Sequence, residues 1–478
     1  MGREADVIVV GAGNAGFCAA LSAAERGARV LLLEKAPAGW LGGNSYFTAG
    51  AIRTVHGGLQ DVAGLVEDVE PGTILEPYTA EDFRGDLERV TEGRCDPELA
   101  ALVVDGSRET VGWLAAQGVR LRLMYDRQAY DKVFWGGLHI GAAGGGEGLI
   151  AAERAAAERA GVELRCSHAV TGLLRDRRGA VCGVSGPAGE VQAGAVVMAA
   201  GGFEADPRLR AAHLGPGWDV AKVRGTPFNT GEALMAMLDA GAQAYGHWSG
   251  CHSIAWDAAA PPTGDRELTN RLSRQSYPLG IVVNRRGERF LDEGADFRNY
   301  TYARYGAEIL RQPGAVAAQL FDAQTAPLLR PLEYEAPGAS HVCADTVAEL
   351  AGALGFDRAG LERTVREFNA ACDGGEFDPA VKDGMAARGI EPPKSNWALP
   401  LDDPPFHGFK VTCGITFTFG GVRVDGDARV LDRAGRAIPG LYAAGELVGG
   451  LFFHNYPGGS GLTAGAVLGR RAGEAITA

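Results

Sequence analysis

The stretch Asp6-Val-Ile-Val-Val-Gly11-Ala-Gly13-Asn-Ala-Gly16 decides the fold of this chain. Its β-branched run is typical of a buried strand in a parallel sheet. The strand leads directly into three glycines spaced as Gly-x-Gly-x-x-Gly, and an Ala-rich helical segment follows, from Ala15 to about Arg26. A second apolar run then ends at Glu34. This order of strand, glycines, helix, strand and acid predicts a βαβ unit that binds a dinucleotide.

Each part of the motif has a physical role in binding. We expect Gly11 to allow the tight turn, Gly13 to let the backbone approach a pyrophosphate, and Gly16 to let the helix pack closely on the strand. The N-terminus of the helix stabilises the phosphate charge. Glu34, which Lys35 follows, is placed to accept hydrogen bonds from a ribose. The motif alone does not separate FAD from NAD, because both cofactors use it.

Three later segments favour FAD. A polar Gly-rich loop over residues 42–50 stands where NAD dehydrogenases usually continue with another βα unit, and it can carry backbone N–H groups along an extended cofactor. A string of short strands ends at Ala200-Gly201-Gly202. A third strand ends in Gly445-Glu446, whose acid suits a flexible polyol, and the helix that begins near Ser460 would direct its N-terminus at the flavin. The residues predicted to bind FAD are Gly11, Gly13, Ala15, Gly16, Glu34, Lys35, Gly43, Asn44, Ser45, Thr48, Ala49, Gly50, Val170, Ala200, Gly201, Gly202, Asn229, Gly231, Glu232, Gly445, Glu446, Ser460, Gly461 and Leu462.

Composition limits the classes of function. The 478 residues are too many for one compact core, so two or three domains are expected. The net charge of −13 disfavours nucleic acid and anionic membranes as partners, and no apolar stretch approaches the ~20 residues that span a bilayer. The eight cysteines are scattered without a C-x-x-C pair, which excludes the common iron–sulfur, c-type haem and zinc-ribbon spacings. We therefore expect a cytoplasmic protein without a metal centre.

Four further segments carry a family resemblance. They are Gly42-Gly-Asn-Ser-Tyr-Phe-Thr-Ala-Gly-Ala-Ile-Arg-Thr-Val-His56, Ser249-Gly-Cys-His-Ser253, Gly294-Ala-Asp-Phe-Arg-Asn-Tyr-Thr-Tyr302 and Asn455-Tyr-Pro-Gly-Gly-Ser460. Along its whole length the chain resembles the flavoprotein subunits of fumarate reductase and succinate dehydrogenase and their soluble relatives, which include the 3-ketosteroid dehydrogenases. Within that family it is most similar to the branch of the FAD-dependent tricarballylate dehydrogenases.

The resemblance implies an α/β fold with two domains. A discontinuous, Rossmann-like FAD-binding domain of the glutathione-reductase type would cover residues 1–246 and 405–478, and an inserted α+β capping domain would cover residues 247–404. The sequence agrees, since the Gly-rich motifs stop after Gly231-Glu232 and return only after Gly414. The histidine that carries covalent flavin in respiratory relatives aligns with Asn44, so the resemblance implies noncovalent FAD.

The resemblance also implies the chemistry. Such relatives remove or add two hydrogens across a carbon–carbon bond next to a carboxylate or carbonyl, with a hydride passing between the β-carbon and flavin N5. Arg298 falls near the position of a proton-donating arginine, and His252 falls at that of a substrate-binding histidine. A free guanidinium is a poor acid. Either Arg298 moves the α-proton through a relay, or it holds a carboxylate while Tyr300 or water moves the proton.

Two departures from the family pattern concern the substrate. Fumarate reductases have a histidine just before the glycine pair Gly420-Gly421, where this chain has Phe417-Thr418-Phe419, and they have an arginine at Tyr456. Losing both groups argues against simple fumarate or succinate turnover. Tyr456 is similar instead to a tyrosine of the tricarballylate and ketosteroid branches, which can donate to an oxyanion. The arginines at 266, 271 and 274 are candidates to hold a third carboxylate.

Three functions remain open at this point. The first is dehydrogenation of a polycarboxylate, such as tricarballylate to aconitate. The second is a desaturase or ene-reductase for a bulkier carbonyl compound, held by the aromatic residues Phe417, Phe419, Phe452 and Phe453. The third is an electron-transfer flavoprotein subunit. The expected partners are a small carboxylate or enone and an unidentified electron acceptor, which is O2, a quinone or a partner protein.

Overall fold

The computed structural model describes residues 3–477. Its strands are β1 (Val7–Val10), β2 (Val30–Leu33), β3 (Ala51–Ile52), β4 (Leu121–Leu123), β5 (Ala129–Tyr130), β6 (Val133–Phe134), β7 (Ile140–Ala142), β8 (Glu163–Arg165), β9 (Gly172–Arg175), β10 (Val181–Gly186), β11 (Gly189–Gln192), β12 (Ala195–Met198), β13 (Lys222–Val223), β14 (Ala244–Asp257), β15 (Ile281–Asn284), β16 (Val316–Phe321), β17 (His341–Ala344), β18 (Phe406–Val422), β19 (Arg429–Leu431) and β20 (Ala437–Ala443). Its helices are α1 (Asn14–Glu25), α2 (Gly43–Tyr46), α3 (Leu59–Val62), α4 (Ala80–Val90), α5 (Pro97–Gln117), α6 (Tyr125–Gln128), α7 (Gly145–Arg159), α8 (Pro207–Leu214), α9 (Glu232–Asp239), α10 (Tyr302–Leu310), α11 (Pro331–Tyr334), α12 (Val347–Leu354), α13 (Arg358–Ala371) and α14 (Ser460–Thr477).

A six-stranded sheet contains the βαβ unit predicted from the sequence. Its strand order is β19-β20-β12-β1-β2-β8, and β1 runs parallel to both β2 and β12. Every residue of β1 and β2 is buried, as both faces of a parallel sheet require. The predicted α/β class is confirmed by this sheet and by α1, which connects its two central strands.

The C-terminal part of the chain completes this first sheet. β20 pairs in parallel with β12, and α14 packs along α1. A Cβ atom at Gly469 would lie 2.3 Å from the carbonyl oxygen of Ala15, and one at Gly473 would lie 2.7 Å from that of Ala19. The two helices therefore approach each other at backbone distance, which only glycine permits.

A second large sheet is built around the long strand β18. Its order is β13-β18-β16-β15, and both β14 and β17 also pair with β18. The pairing of β14 with β18 is antiparallel, with register shifts between His247 and Cys251 and between His252 and Ser253. The predicted domain boundaries at residues 246 and 405 fall near the starts of β14 and β18, and the division into two domains stays a prediction.

Each large sheet has its own apolar core. Val9 and Leu32 on the first sheet pack with Phe17 and Ala20 of α1, whereas α12 and α13 cover the second sheet through residues such as Leu361. Among residues 3–477, no helix combines the length and the apolar character needed to cross a membrane.

Candidate active site

One long cavity runs beside the first glycine turn. Gly11 has φ +99°, and a Cβ atom there would lie 2.4 Å from the carbonyl oxygen of Ala199. A Cβ atom at Gly16 would lie 1.8 Å from the oxygen of Gly11. α1 begins immediately after Gly13, which provides no side-chain cap. The residue at the N-cap therefore leaves amides of the first turn available, as a helix that binds phosphate requires.

Glu34 and Lys35 line the same cavity. The carboxylate of Glu34 accepts hydrogen bonds from the backbone N–H groups of Ala12 (2.8 Å) and Ala36 (2.7 Å). Burial raises the pKa of Glu34, although these two bonds oppose the shift. The ammonium of Lys35 forms an ion pair with Glu232 at 2.8 Å. Both predicted residues are therefore fixed in orientation at the end of the cavity next to β2.

The Gly-rich loop contributes α2 and the side chain of Asn44. The amide nitrogen of Asn44 donates to Glu204 at 2.6 Å and to the carbonyl oxygen of Thr416, while its oxygen accepts from the N–H of Thr226 at 2.8 Å. Ser45 accepts a hydrogen bond from the N–H of Asn14 at 3.2 Å. These contacts tie the loop to α1 and to β18.

Two carboxyl groups, Glu204 and Glu446, contact each other, and Glu446 lines the cavity. Glu446 accepts from the N–H of Thr418 at 2.7 Å, and one oxygen of Glu204 accepts from Asn229 at 2.6 Å. The two carboxyl groups also contact each other, and two carboxylates can share a hydrogen bond only if a proton lies between them. Burial raises the pKa of both, and for Glu204 the charge of Glu446 raises it further. Burial and the neighbouring charge thus favour the protonated form of Glu204.

The predicted FAD residues mostly line this one cavity. Those in its lining are Gly11, Ala15, Glu34, Lys35, Gly43, Asn44, Ser45, Thr48, Ala49, Val170, Ala200, Gly201, Asn229, Gly231, Glu232, Gly445, Glu446, Gly461 and Leu462. The lining does not include Gly13, Gly16, Gly50, Gly202 and Ser460. Instead, Gly202 makes room for Glu446, because a Cβ atom there would lie 2.1 Å from its carboxylate oxygen. The start of α1, the glycines of the lining and the acids beside it fit an extended dinucleotide. The roles of the individual residues as direct ligands of FAD stay predictions.

Three buried arginines line the cavity near β18. Arg298 donates to the side-chain oxygen of Gln275 and to the carbonyl oxygen of Arg127, both at 2.6 Å. Arg224 donates to Asn270 at 2.9 Å and to Thr416 at 3.0 Å. Burial, with repulsion from Arg330 as the next cause, lowers the pKa of Arg298 to about 9. Arg298 was predicted from the sequence, whereas Arg127 and Arg224 were not, since no motif marks them.

Glu333 is the acid beside these cations. It forms an ion pair with Arg127 at 2.6 Å and is fully buried. Burial alone would raise its pKa, but the charges of Arg127, Arg330 and Arg298 outweigh burial and leave the pKa lowered. Glu333 is thus ionised, and it balances only part of the positive charge at this end of the cavity.

Tyr456 lies in the cavity lining together with Tyr302 and Phe417. The hydroxyl groups of the two tyrosines are 2.5 Å apart. Burial raises the pKa of each, so both are neutral phenols that can donate a proton in a hydrogen bond. Phe417 packs edge-on against Tyr456 with ring centres 5.3 Å apart. The structure therefore joins the predicted Tyr456 to an unpredicted partner, Tyr302.

Tyr300, the other predicted tyrosine, lies elsewhere. Its hydroxyl donates to Asp86 at 2.5 Å and to the carbonyl oxygen of Gly136 at 2.8 Å, next to the buried guanidinium of Arg53. It does not contribute to the cavity lining. Asp86 and Gly136 thus hold its hydroxyl away from the cavity lining, and a proton-moving role for Tyr300 stays a prediction.

His252 is also separated from the cavity. It is 1 % exposed and stacks on Phe417 with ring centres 5.1 Å apart, and it is not in the lining. Neither ring nitrogen has a hydrogen-bond partner among the described residues. Burial lowers the pKa of His252 well below 6.5, so the ring is neutral. The ring of Phe417, the stacking partner of His252, belongs to the cavity lining, and a contact of His252 with the substrate stays a prediction.

The three cap arginines proposed for a third carboxylate do not line the cavity either. Arg274 forms a buried ion pair with Asp257 at 2.7 Å. Arg266 stacks on Tyr46 and donates to the carbonyl oxygen of Leu41, and Arg271 is exposed. The arginines that line the cavity beside Arg298 are instead Arg127 and Arg224.

Comparisons with known proteins agree with this geometry. A family model described as an FAD binding domain matches residues 6–462. A probable fumarate reductase, Ifc3, of Shewanella frigidimarina is 30% identical over 98% of this chain and 74% of its own length. A 3-oxosteroid 1-dehydrogenase of Mycobacterium tuberculosis is 26% identical over 96% of this chain and 95% of its own. The solved structure of an open flavocytochrome c3 fumarate reductase aligns with a TM-score of 0.75 and 28% identity, covering 100% of this chain and 79% of that one.

The fold, the cavity and the comparisons agree on one assignment. The sheet and the glycine turn form an FAD-binding fold, and the similar proteins are named as a fumarate reductase and a steroid dehydrogenase. The chain therefore belongs to the FAD-binding family of the fumarate reductase and succinate dehydrogenase flavoproteins, whose members are FAD-dependent oxidoreductases that act on CH–CH groups.

Proposed function

We propose that this protein dehydrogenates a polycarboxylate, with the conversion of tricarballylate to aconitate as the leading case. The observation that carries the proposal is that Arg224 and Arg298 are buried cations without an acidic partner among residues 3–477. In the described part of the chain, both guanidinium groups line the cavity and hydrogen bond only to neutral groups. A buried cation is costly unless an anion pairs with it, and a carboxylate is the anion that a guanidinium binds best in two-point geometry.

The number of cations supports more than one carboxylate. Arg127 adds a third guanidinium, and Glu333 offsets only one positive charge. The chain's net charge of −13 makes such a local excess of positive charge a specific feature of this cavity. Tyr456 and Phe417 stand where fumarate reductases have an arginine and a histidine, which supports an acid other than fumarate or succinate.

Each residue of the site would have a separate role in this dehydrogenation. FAD, when bound, supplies a two-electron acceptor for the hydride that leaves the β-carbon. Arg224 and Arg127 hold carboxylates and fix the substrate in the cavity. Arg298, whose pKa is lowered to about 9, either takes up the α-proton or clamps the adjacent carboxylate. In the second case a water molecule would take up the α-proton, and the hydroxyl of Tyr456, supported by Tyr302, would stabilise the charge that develops on the carboxylate oxygen.

Anaerobic reduction of the flavin tests the proposal. We expect tricarballylate to bleach the flavin absorbance, and succinate and a saturated 3-ketosteroid to do so much more slowly. The Arg224→Gln variant, which keeps a polar side chain of similar reach, should raise the concentration of tricarballylate needed for half-maximal reduction by about tenfold or more. Failure of every tricarboxylate to reduce the flavin would refute the polycarboxylate assignment.

A second candidate is a desaturase or ene-reductase for a bulkier carbonyl compound. The aromatic side chains of Phe417, Phe419 and Phe452 line the cavity and favour an apolar substrate, and one relative is a 3-oxosteroid 1-dehydrogenase by name. Rapid flavin reduction by the ketosteroid, or rapid reoxidation of reduced flavin by a cyclic enone, would favour this function over the first.

We also propose that FAD is held without a covalent bond. Asn44 lines the cavity, and its amide is fully engaged by Glu204, Thr226 and Thr416. A side-chain amide is not nucleophilic enough to carry a flavin. Precipitation of the protein with trichloroacetic acid should leave the yellow flavin in the supernatant, and flavin that stays in the pellet would contradict the proposal.

A further inference from the structure

A second, smaller pocket adjoins Arg298. Its walls include Trp135, Ser276 and Arg330, and it is closed by aromatic side chains such as Phe297. Its volume is about 20 Å³. Arg298 and Gln275 line both this pocket and the main cavity. We call the smaller space, lined by Trp135, Ser276, Arg298 and Arg330, the side pocket.

Four buried hydrogen-bond donors of the side pocket lack an acceptor within residues 3–477. They are the indole nitrogen of Trp135, the hydroxyl of Ser276, Nε of Arg298 and Nη1 of Arg330. All four residues are more than nine-tenths buried, with exposures of 6 %, 3 %, 5 % and 8 %. Buried polar atoms are nearly always hydrogen bonded. Indole and guanidinium nitrogens can only donate, so the missing partner must be an acceptor.

The charges around the side pocket also require an anion. Arg127 is paired with Glu333 at 2.6 Å and Arg274 with Asp257 at 2.7 Å. Arg330 reaches Glu333 only at 3.9 Å, and Arg298 is held by neutral oxygens. Two buried guanidinium groups therefore share one acid that is already engaged. The net positive charge is unfavourable in a dry interior unless a negative ion enters.

The size of the side pocket limits which anion fits. A space of this volume holds about one water-sized particle, since roughly 10–15 Å³ is the minimum for a water molecule. A halide ion meets this limit, whereas a carboxylate with its carbon chain, a phosphate or a gluconate does not. Donors that come from four different side chains suit a spherical acceptor without directional lone pairs.

We propose that the side pocket is a binding site for one halide ion, held by Trp135, Ser276, Arg298 and Arg330. The ion is a counter-ion to Arg330 and accepts a hydrogen bond from Nε of Arg298, while the other nitrogens of Arg298 donate to Gln275 and Arg127. No electron or proton transfer is involved. The site is distinct from the substrate site, so the halide and a carboxylate substrate are able to bind together.

Crystals of the FAD-loaded protein soaked in sodium bromide test the site directly. We expect an anomalous difference peak in the side pocket within hydrogen-bonding distance of Ser276 and Trp135. A side pocket that contains only ordered water at high bromide concentration would overturn the proposal.

A solution measurement uses two conservative variants and one matched control. At constant ionic strength, replacing gluconate by bromide should raise the Tm of the FAD-loaded protein and yield an apparent Kd. Trp135→Phe and Ser276→Ala each remove one donor and should weaken bromide binding by about tenfold, the effect of one hydrogen bond to a charged group. Trp113→Phe is the control, since that indole donates to Glu25 elsewhere at 3.0 Å.

The outcomes separate this proposal from the proposed function. Equal bromide affinity in the wild type, Trp135→Phe and Ser276→Ala would show that the halide acts elsewhere on the surface, and the side pocket would be excluded. Neither measurement depends on turnover. A protein that fails to oxidise tricarballylate but binds bromide in the side pocket refutes only the substrate assignment.

Discussion

Tyr300 and Tyr302 are separated by one residue, yet their hydroxyl groups have different surroundings. Tyr300 donates to Asp86 and Gly136 outside the main cavity, whereas Tyr302 begins α10 and meets Tyr456 in the cavity lining. The two residues therefore offer a matched pair of substitutions that remove the same hydroxyl group from two sites.

Tyr302→Phe should slow flavin reduction by the substrate, and Tyr300→Phe should not. Removing the Tyr302 hydroxyl leaves Tyr456 without its partner, and loss of a positioned proton-handling group lowers rates by on the order of 100-fold. Tyr300→Phe instead removes a hydrogen bond to the Asp86 carboxylate and should lower the free energy of unfolding by about 1–3 kcal/mol. Stopped-flow reduction and urea unfolding of both variants check this. Equal reduction rates in the two variants would exclude Tyr302 from the chemistry.

The Glu204–Glu446 pair predicts a pH dependence of stability. The pKa of Glu204 is raised well above 4.5 in the folded protein, so its contribution is fully present below the unfolded pKa of about 4.5 and is lost as pH rises through the raised value. Glu204→Gln mimics the protonated acid, because its amide can still accept from Asn229 and can donate to Glu446. We expect the fall in Tm between pH 5 and pH 9 to be smaller in Glu204→Gln than in the wild type.

The control for this variant is Glu190→Gln, which changes an exposed glutamate on β11. It should leave the pH profile of Tm unchanged. A Glu204→Gln profile that matches the wild type would mean that Glu204 titrates at an ordinary pKa and that the two acids share no proton.

At the residue scale, the sequence predicted groups that belong to motifs and missed those that do not. Arg298 lies in a segment with a strong family resemblance, and the structure brings it to the cavity lining. Arg224 follows the two-residue strand β13 and Arg127 lies in the short helix α6, so only the folded chain shows that they meet Arg298. The stacking of His252 on Phe417 could not be predicted, because the position of His252 in β14 does not reveal its partner on β18.

Glycines at the contact between α1 and α14 determine how closely the two elements approach. A Cβ atom at Gly469 would lie 2.3 Å from the carbonyl oxygen of Ala15, and Ala15 itself lines the main cavity. Sequence periodicity predicted the first helix and its adjoining strands correctly, since these depend on local pattern. The partners of β18 are far apart in sequence, so the second sheet could not be predicted in detail.

Gly469→Ala should destabilise the protein and weaken FAD binding together. The added methyl group forces α14 away from α1, and overpacking of this kind costs about 1–3 kcal/mol. Gly352→Ala in α12 is the control, because no atom lies within 4 Å of a Cβ atom there. That change should stabilise by up to about 1 kcal/mol through helix propensity. Thermal unfolding and fluorescence titration with FAD measure both effects. A Gly469→Ala protein with the stability and FAD affinity of the wild type would contradict the close contact of the two helices.

At the scale of the whole molecule, β14 and β18 connect the parts of the chain that the sequence divides into two domains. β18 pairs with β13, β14, β16 and β17, and Thr418 near its end donates to Glu446 in the cavity wall. A shared apolar cluster that includes Val10 of β1 and Ile415 of β18 also joins the two sheets. The two parts are therefore linked by packed side chains and by the cofactor cavity, rather than by a flexible linker.

This connection predicts one cooperative unfolding transition. Domains joined by linkers commonly unfold in separate steps. Here the loss of β18 would disrupt the second sheet and would also remove Ile415 and Val422 from the apolar cluster that contains Val10 of β1. Calorimetry of the FAD-loaded protein should show a single peak that coincides with the release of flavin fluorescence and with the loss of far-UV circular dichroism. Two resolved peaks would contradict this coupling between the two parts of the chain.

The register shifts in the β14–β18 pair bear on how a substrate enters. β14 and β18 form a long antiparallel pair, and backbone hydrogen bonds along a pair of strands make it stiff. A movement of the second sheet relative to the first would therefore require this strand pair to bend. Bulges are the points at which a strand pair bends most readily, and both shifts lie between His247 and Ser253. His252 lies at one of these two shifts, and its stacking partner Phe417 lines the cavity, so bending of the strand pair at this point would alter the cavity wall through one aromatic contact.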